Sequence, residues 1–367
     1  MPIQSERTRG IRFHPKMLNA SRLSRKSLIR KPLSLLLRAL RIGSTAVNRL
    51  VDRVRRIQAS LPTAGLKKTR PGRLEERFIT GSYANHAGRR AYKLFIPSGY
   101  RNKPRPLIVM LHGCKQSPED FAAGTRMNVL AEENACLVVY PAQPLSANVS
   151  RCWNWFIPRH QRRGDGEPSL IAGITRQVMR DYMVDRRRVY IAGLSAGAAA
   201  AAILARAYPD LYAAVGLHSG PAPGNAIKLA SARPVMQRSQ FAITDNANAS
   251  VDTALSIIPT IVFHGDQDTK VHPRNSEDVL SRSGAGKELE RRLRQGRMPS
   301  GRAFSQTLYL DASKCAVMEH WIIHGLGHAW SGGSPVGSYT DPQGPDAARE
   351  MLRFFLQHTH VAPVDSR

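Results

Sequence analysis

Acidic side chains are scarce in this chain. Against 54 Lys and Arg it carries 27 Asp and Glu over 367 residues, for a formal net charge of +27. Cysteine is scarcer still: Cys114, Cys136, Cys152 and Cys315 are all there is. Four cysteines in a chain this long exclude a disulfide-built scaffold, although one or two bridges stay open if the protein leaves the cytoplasm. No uncharged apolar run reaches the roughly 18 residues that span a bilayer, so no transmembrane segment is expected. An ordinary secretory signal is not legible either. The best apolar core near the start, Pro32 to Leu37, is six residues long between Lys31 and Arg38, short of the usual roughly 7–15.

The excess of positive charge is uneven. Residues 1–70 hold 18 Lys and Arg against Glu6 and Asp52. They read as a basic extension, partly disordered, that suits an anionic surface or a polymer granule; nucleic acid is the less favoured partner. Within it, Val47, Leu50, Val51, Val54 and Ile57 recur at helical spacing with Arg49, Arg53, Arg55 and Arg56 between them. That is an amphipathic helix, either surface-binding or packed on the rest of the chain. A proline- and glycine-containing linker follows, and residues 1–75 are set apart from a catalytic domain over 76–361.

Beyond residue 76 the pattern changes. Arg77–Tyr83 and Ala91–Pro97 read as an edge hairpin turning at Ala87-Gly88. Buried-type apolar runs follow at Leu107–Leu111, Cys136–Tyr140, Val189–Ala192, Ala213–Leu217, Thr260–Phe263 and His320–Ile323. Helical stretches separate most of them: Pro118–Glu133, Ser169–Tyr182, Ala196–Ala207 and Asn275–Leu280, with a last one over Asp346–His358. The alternation predicts an α/β fold, a mainly parallel sheet with helices on both faces. Arg282–Arg302, charged and containing glycine, reads as a surface excursion from that order.

Chemistry concentrates where these strands end. Val189–Ala192 runs into Gly193-Leu194-Ser195-Ala196-Gly197 and then alanines. This strand–turn–helix lifts a serine hydroxyl clear of the sheet. A serine needs a base, an orienter for the base and donors for an oxyanion. The strand Thr260–Phe263 leads to His264-Gly265-Asp266-Gln267-Asp268, where Asp268 is the chosen acid and Asp266 the runner-up. His320–Ile323 leads to Gly327-His328-Ala329-Trp330, where His328 is the chosen base and His324 the runner-up. Leu107–Leu111 ends in His112-Gly113-Cys114. The backbone amides of Cys114 and Ala196 are the expected oxyanion donors, and His112 is read as a brace for the turn. The chain order Ser195, Asp268, His328 is that of α/β-hydrolases.

With these stretches, and with Cys152-Trp153-Asn154-Trp155-Phe156, the sequence resembles the short-chain polyhydroxyalkanoate (PHB) depolymerase and feruloyl-esterase-like family of α/β-hydrolases over roughly residues 76–358. The resemblance implies hydrolysis of a carboxylic ester with Ser195 as nucleophile, Asp268 as acid and His328 as base. It favours a polyester substrate, with feruloyl or acetyl groups on plant polysaccharide as the alternative. A granule-binding protein with residual esterase activity is the reading from another class. It also implies an extracellular or periplasmic location; the cytoplasmic surface of a polymer granule is the other option. Trp153, Trp155 and Trp330 are expected either to line a substrate mouth or to pack in the core. Cys114 and Cys152 lie beside two site segments, and a bridge between them is left open. No histidine set has metal-ligand spacing and no glycine-rich dinucleotide turn follows the first strand, so neither metal nor cofactor is called for.

Overall fold

A computed structural model describes residues 77–101, 103–222, 258–284, 288–299 and 301–360. The basic extension, its amphipathic helix and its linker lie outside these residues. The strands are β1 Arg77–Asn85, β2 Gly88–Ile96, β3 Arg105–Leu111, β4 Leu137–Pro141, β5 Val184–Leu194, β6 Ala214–His218, β7 Thr260–Gly265, β8 Glu290–Arg297, β9 Ala303–Leu310 and β10 Ala316–Ile323, with the short β11 Trp330–Ser331 and β12 Thr340–Asp341. The helices are α1 Pro118–Thr125, α2 Met127–Asn134, α3 Gly166–Asp181, α4 Ala196–Ala207, α5 Arg274–Ser283 and α6 Ala347–Leu356.

One ten-stranded sheet runs in the order β1-β2-β4-β3-β5-β6-β7-β10-β9-β8. Its centre, β4 through β10 in that order, is parallel. The hairpins β1–β2 and β8–β9 extend it antiparallel at its two edges. The central strands are buried on both faces, which is why they read as unbroken apolar runs. Successive residues feed opposite cores. Leu107, Val109, Val139, Val189, Ile191 and Leu217 pack with α3 and α4. Ile108, Met110, Val138, Tyr190, Ala192 and Phe263 pack with α1, α2 and α6. No helix among the described residues is long and apolar enough to cross a membrane.

Two expectations are corrected. The single helix over Pro118–Glu133 is two, broken at Arg126, whose φ of 57° is left-handed. The break lies beside Gly124, whose backbone meets the loop at Gly337 so closely that a Cβ on Gly337 would come 2.4 Å from Gly124 N. The excursion expected over Arg282–Arg302 contains the edge strand β8, and its partner β9 was not foreseen. Seven of the eight β8 residues are exposed, so the strand carries no apolar alternation to read. Its arginines suit an unpaired edge.

Candidate active site

Open parallel sheets gather their sites at the carboxyl ends of strands, and the predicted residues meet there. Ser195 follows β5 and caps α4 with φ 56° and ψ −120°, using its backbone and no side-chain cap bond. Its amide donates to His218 O at 2.9 Å. The turn closes only because its flanks are glycine. A Cβ on Gly193 would lie 2.3 Å from Gly197 C, and one on Gly197 would lie 2.1 Å from Leu111 O. The same contact presses the elbow against the turn after β3.

His328 Nε2 lies 3.0 Å from Ser195 Oγ, and its Nδ1 lies 2.7 Å from Asp268 Oδ2. Asp268 Oδ1 accepts the amides of Lys270 at 2.8 Å and Val271 at 2.9 Å. Burial pushes the Asp268 carboxyl up. The hydrogen bonds from His264, His328 and the Val271 amide outweigh it, and the carboxyl stands well below the usual carboxylate range. Asp266 and His324 are drawn together elsewhere: Asp266 Oδ2 meets His324 Nδ1 at 2.9 Å, and His324 Nε2 meets Ser305 Oγ at 2.9 Å.

The amides of Cys114 and Ala196 make no hydrogen bond to a protein acceptor among the described residues. Ala196 is the first residue of α4, where helix amides lack intrahelical partners and the dipole favours negative charge. The Cys114 turn is braced from several sides. Cys114 is disulfide-bonded to Cys152, and Lys115 N donates to Ser150 O at 2.7 Å. Gly113 N donates to Gln116 Oε1 at 2.8 Å. His112 Nε2 accepts from Gln143 N at 3.1 Å, which leaves Nδ1–H to donate to Gly113 O at 2.8 Å. Burial pushes its pKa down to about 4, so it braces the turn as a neutral ring.

The aromatic mouth is corrected. Trp153, Trp155 and Trp330 are 0%, 1% and 1% exposed, so no open face is left for a substrate. Trp153 Nε1–H donates to His112 O at 3.0 Å, and Trp330 stacks on buried His218 with centroids 5.0 Å apart. Large flat rings fill the space beneath the site loops and bury more apolar area there than at a rim.

Other residues support the site without having been legible. Glu167, 3% exposed, accepts from Gln143 Nε2 at 2.5 Å, Asn154 N at 2.8 Å and Asn154 Nδ2 at 2.7 Å. It ties the end of β4 and the Cys152–Asn154 loop to the start of α3. A carboxylate between Gly166 and Pro168 at a helix start reads as a solvated first-turn acid; only the folded loops bury it. Among the described residues no group of three metal-ligating side chains converges.

The architecture is that of an α/β-hydrolase. An acetyl xylan esterase from Aspergillus awamori superposes with a TM-score of 0.58 at 18% identity, covering 76% of this chain and 98% of that one. The Esterase PHB depolymerase family matches residues 90–284, and the chain belongs to that family, and with it to the carboxylic-ester hydrolases. It is 29% identical over 246 residues to poly(3-hydroxyalkanoate) depolymerase C of Paucimonas lemoignei, covering 66% of this chain and 58% of that protein's length. It is 28% identical over 290 residues to feruloyl esterase B of Neurospora crassa, covering 76% of this chain and 91% of that one.

Proposed function

We propose that the protein is a serine esterase that hydrolyses aliphatic polyesters of the 3-hydroxyalkanoate type through an acyl-enzyme. The observation that carries the serine mechanism is the hydrogen-bonded series Ser195–His328–Asp268 at 3.0 and 2.7 Å. Ser195 Oγ attacks the ester carbonyl while His328 Nε2 takes its proton. Asp268 keeps the imidazole in the Nδ1–H tautomer and stabilises its cation. The Cys114 and Ala196 amides receive the oxyanion. His328 then protonates the departing alcohol, and water activated by His328 releases the acid.

The polyester reading is supported by the likeness to the Paucimonas depolymerase and by the side chains on the neighbouring loops. Leu145, Val149 and Val336 are 56%, 88% and 82% exposed. Their loops are tethered to the oxyanion turn by the Cys114–Cys152 bridge and by Gln116 Nε2 donating to Ser338 O at 3.0 Å. Aliphatic side chains suit an aliphatic surface, and all four tryptophans are buried, leaving no indole to stack on sugar. The greater coverage of the Neurospora feruloyl esterase favours the second reading, a feruloyl or acetyl esterase. One purified sample assayed on poly(3-hydroxybutyrate) and on a feruloyl ester separates the two. Turnover of the feruloyl ester alone would replace the first reading with the second. The basic extension is assigned to holding the enzyme at an anionic or granule surface.

A further inference from the structure

His328 is not the only imidazole that reaches Asp268. His264, the penultimate residue of β7, is fully buried, and its Nε2 lies 2.9 Å from Val271 O and 3.4 Å from Asp268 Oδ2. A carbonyl oxygen only accepts, so Nε2 carries the hydrogen and shares it between the two oxygens, with the short branch to Val271. Its other nitrogen, Nδ1, is buried and finds no hydrogen-bond partner. An apolar residue at this place would strand no such acceptor, and a buried polar atom left unpaired is costly. The ring thus leaves one nitrogen unpaired in order to place the other, and what that other nitrogen touches is the acid of the site.

We propose that His264 is a positioning residue for Asp268, an inference that rests on the Ser195–His328–Asp268 reading. The two amides on Oδ1, from Lys270 and Val271, come from the same turn as Asp268 itself. They fix the carboxylate relative to that turn but not relative to the sheet. The backbone of the turn meets β7 through Asp268 N donating to Gly265 O at 3.2 Å, and His264 adds the tie from the strand to the carboxylate itself. One N–H on β7 holds both the end of the turn, at Val271 O, and the oxygen that faces His328. The turn is thereby locked to the strand, and Oδ2 is held where His328 Nδ1 meets it at 2.7 Å. The end of β7 also abuts the loop that carries His328: a Cβ on Gly265 would lie 2.1 Å from Leu326 O. The groups around His264 are Asp268 and Val271 from the turn, His218 from β6 and His320 from β10. Burial lowers the pKa of both of these histidines, and His264 lowers them further. Asp268 is thus the ionised partner in this cluster.

The test replaces the donor at nearly constant volume in the full-length protein. His264→Leu removes it; His264→Gln returns an N–H at similar reach. Three measurements are made: kcat and KM on a soluble p-nitrophenyl ester, the downfield proton resonance of the His328–Asp268 hydrogen bond, identified by its loss in His328→Gln, and the melting temperature. We expect His264→Leu to lower kcat about 10²-fold, the scale of a misplaced reacting group, with KM nearly unchanged and the downfield resonance broadened or lost. His264→Gln should keep both. If the leucine variant does not fold, His264→Met, unbranched and without an N–H donor, takes its place with the same expectation. The proposal is overturned if the donor-less variant keeps both kcat and the resonance, or if the glutamine variant loses them equally. Ser195→Ala, measured alongside, tells the two readings apart: if it stays active, the serine mechanism itself fails and the role of His264 falls with it.

Discussion

Asp266 and His324 are hydrogen-bonded to each other at 2.9 Å and stand apart from Ser195. Each of the two site loops thus offers one aspartate or histidine to the serine elbow and one to the outer surface, where His324 is 43% exposed at its side chain. The outer pair ends on Ser305, which lies in regular strand pairing between Gln295 of β8 and Ile322 of β10. A serine within a paired strand has no free amide beside it to receive an oxyanion. Ser195→Ala should therefore lower kcat by about 10⁴-fold or more, with the fold retained. An organophosphonate should label Ser195 and leave Ser305 unmodified. Asp268→Asn should cost about 10⁴-fold, while Asp266→Asn should stay within about tenfold of the parent. A greater loss from Asp266→Asn than from Asp268→Asn would reverse the assignment of the acid.

The elbow glycines make a second prediction. The methyl of Gly197→Ala would lie 2.1 Å from Leu111 O, a backbone atom that cannot rotate away. The variant should lose at least the ~1–3 kcal/mol typical of overpacking, read by urea unfolding. An unchanged midpoint would mean that the elbow and the turn after β3 do not press together as described.

The Cys114–Cys152 bridge closes a separation of 38 residues. In the chain-entropy account its removal costs about 4 kcal/mol. Because Cys114 also carries a proposed oxyanion donor, the Cys114→Ser/Cys152→Ser protein should lose kcat on a soluble ester at temperatures where circular dichroism still reports a folded chain. Full kcat in that folded range would show that the turn holds its shape without the bridge.

Acid should weaken the fold before it reaches the carboxylates. Burial holds both His112 and His320 at about 4, against an ordinary value of 6.5. Between those values the unfolded chain binds the protons that the native rings refuse, so stability falls as pH falls through that window and levels off below it. Each ring contributes up to about 3 kcal/mol across the window. Asp268, held low in the native protein, adds its own loss only below about pH 4. Urea unfolding at pH 7, 5.5 and 4.5 measures the slope, and His320→Gln should flatten it. An equal slope in that variant would remove His320 from the account.

Residues 1–70 are expected to matter at surfaces and not in solution. A protein lacking them should keep its melting temperature and its rate on a soluble ester. It should sediment less with anionic vesicles or poly(3-hydroxybutyrate) granules, and added salt should mimic part of that loss in the intact protein. Earlier melting with unchanged sedimentation would instead make the extension a structural element.

Features that depend on near neighbours along the chain could be read without the fold. The central strands showed as apolar runs because burial on two faces leaves no alternation. The elbow showed because two glycines must flank a serine wedged between a strand and a helix. Asp268 and His328 could be singled out as candidates, with Asp266 and His324 beside them, because each follows a strand end, where a parallel sheet presents its loops. The arginine-rich β8 did not show, since an exposed edge strand is held by its ladder to β9 and by no apolar pattern of its own. The break at Arg126 did not show, because no proline or glycine marks that position, and the loop packed beside it at Gly337 lies more than 200 residues further on. The tertiary structure alone decided which aspartate meets which histidine, since Asp266 and Asp268 differ only in the side of the turn they face. It alone buried the three tryptophans beneath the site, joined Cys114 to Cys152, and set His264 against Asp268. Each of these depends on where distant loops come to rest over the sheet, and the spacing of residues along one chain does not specify that.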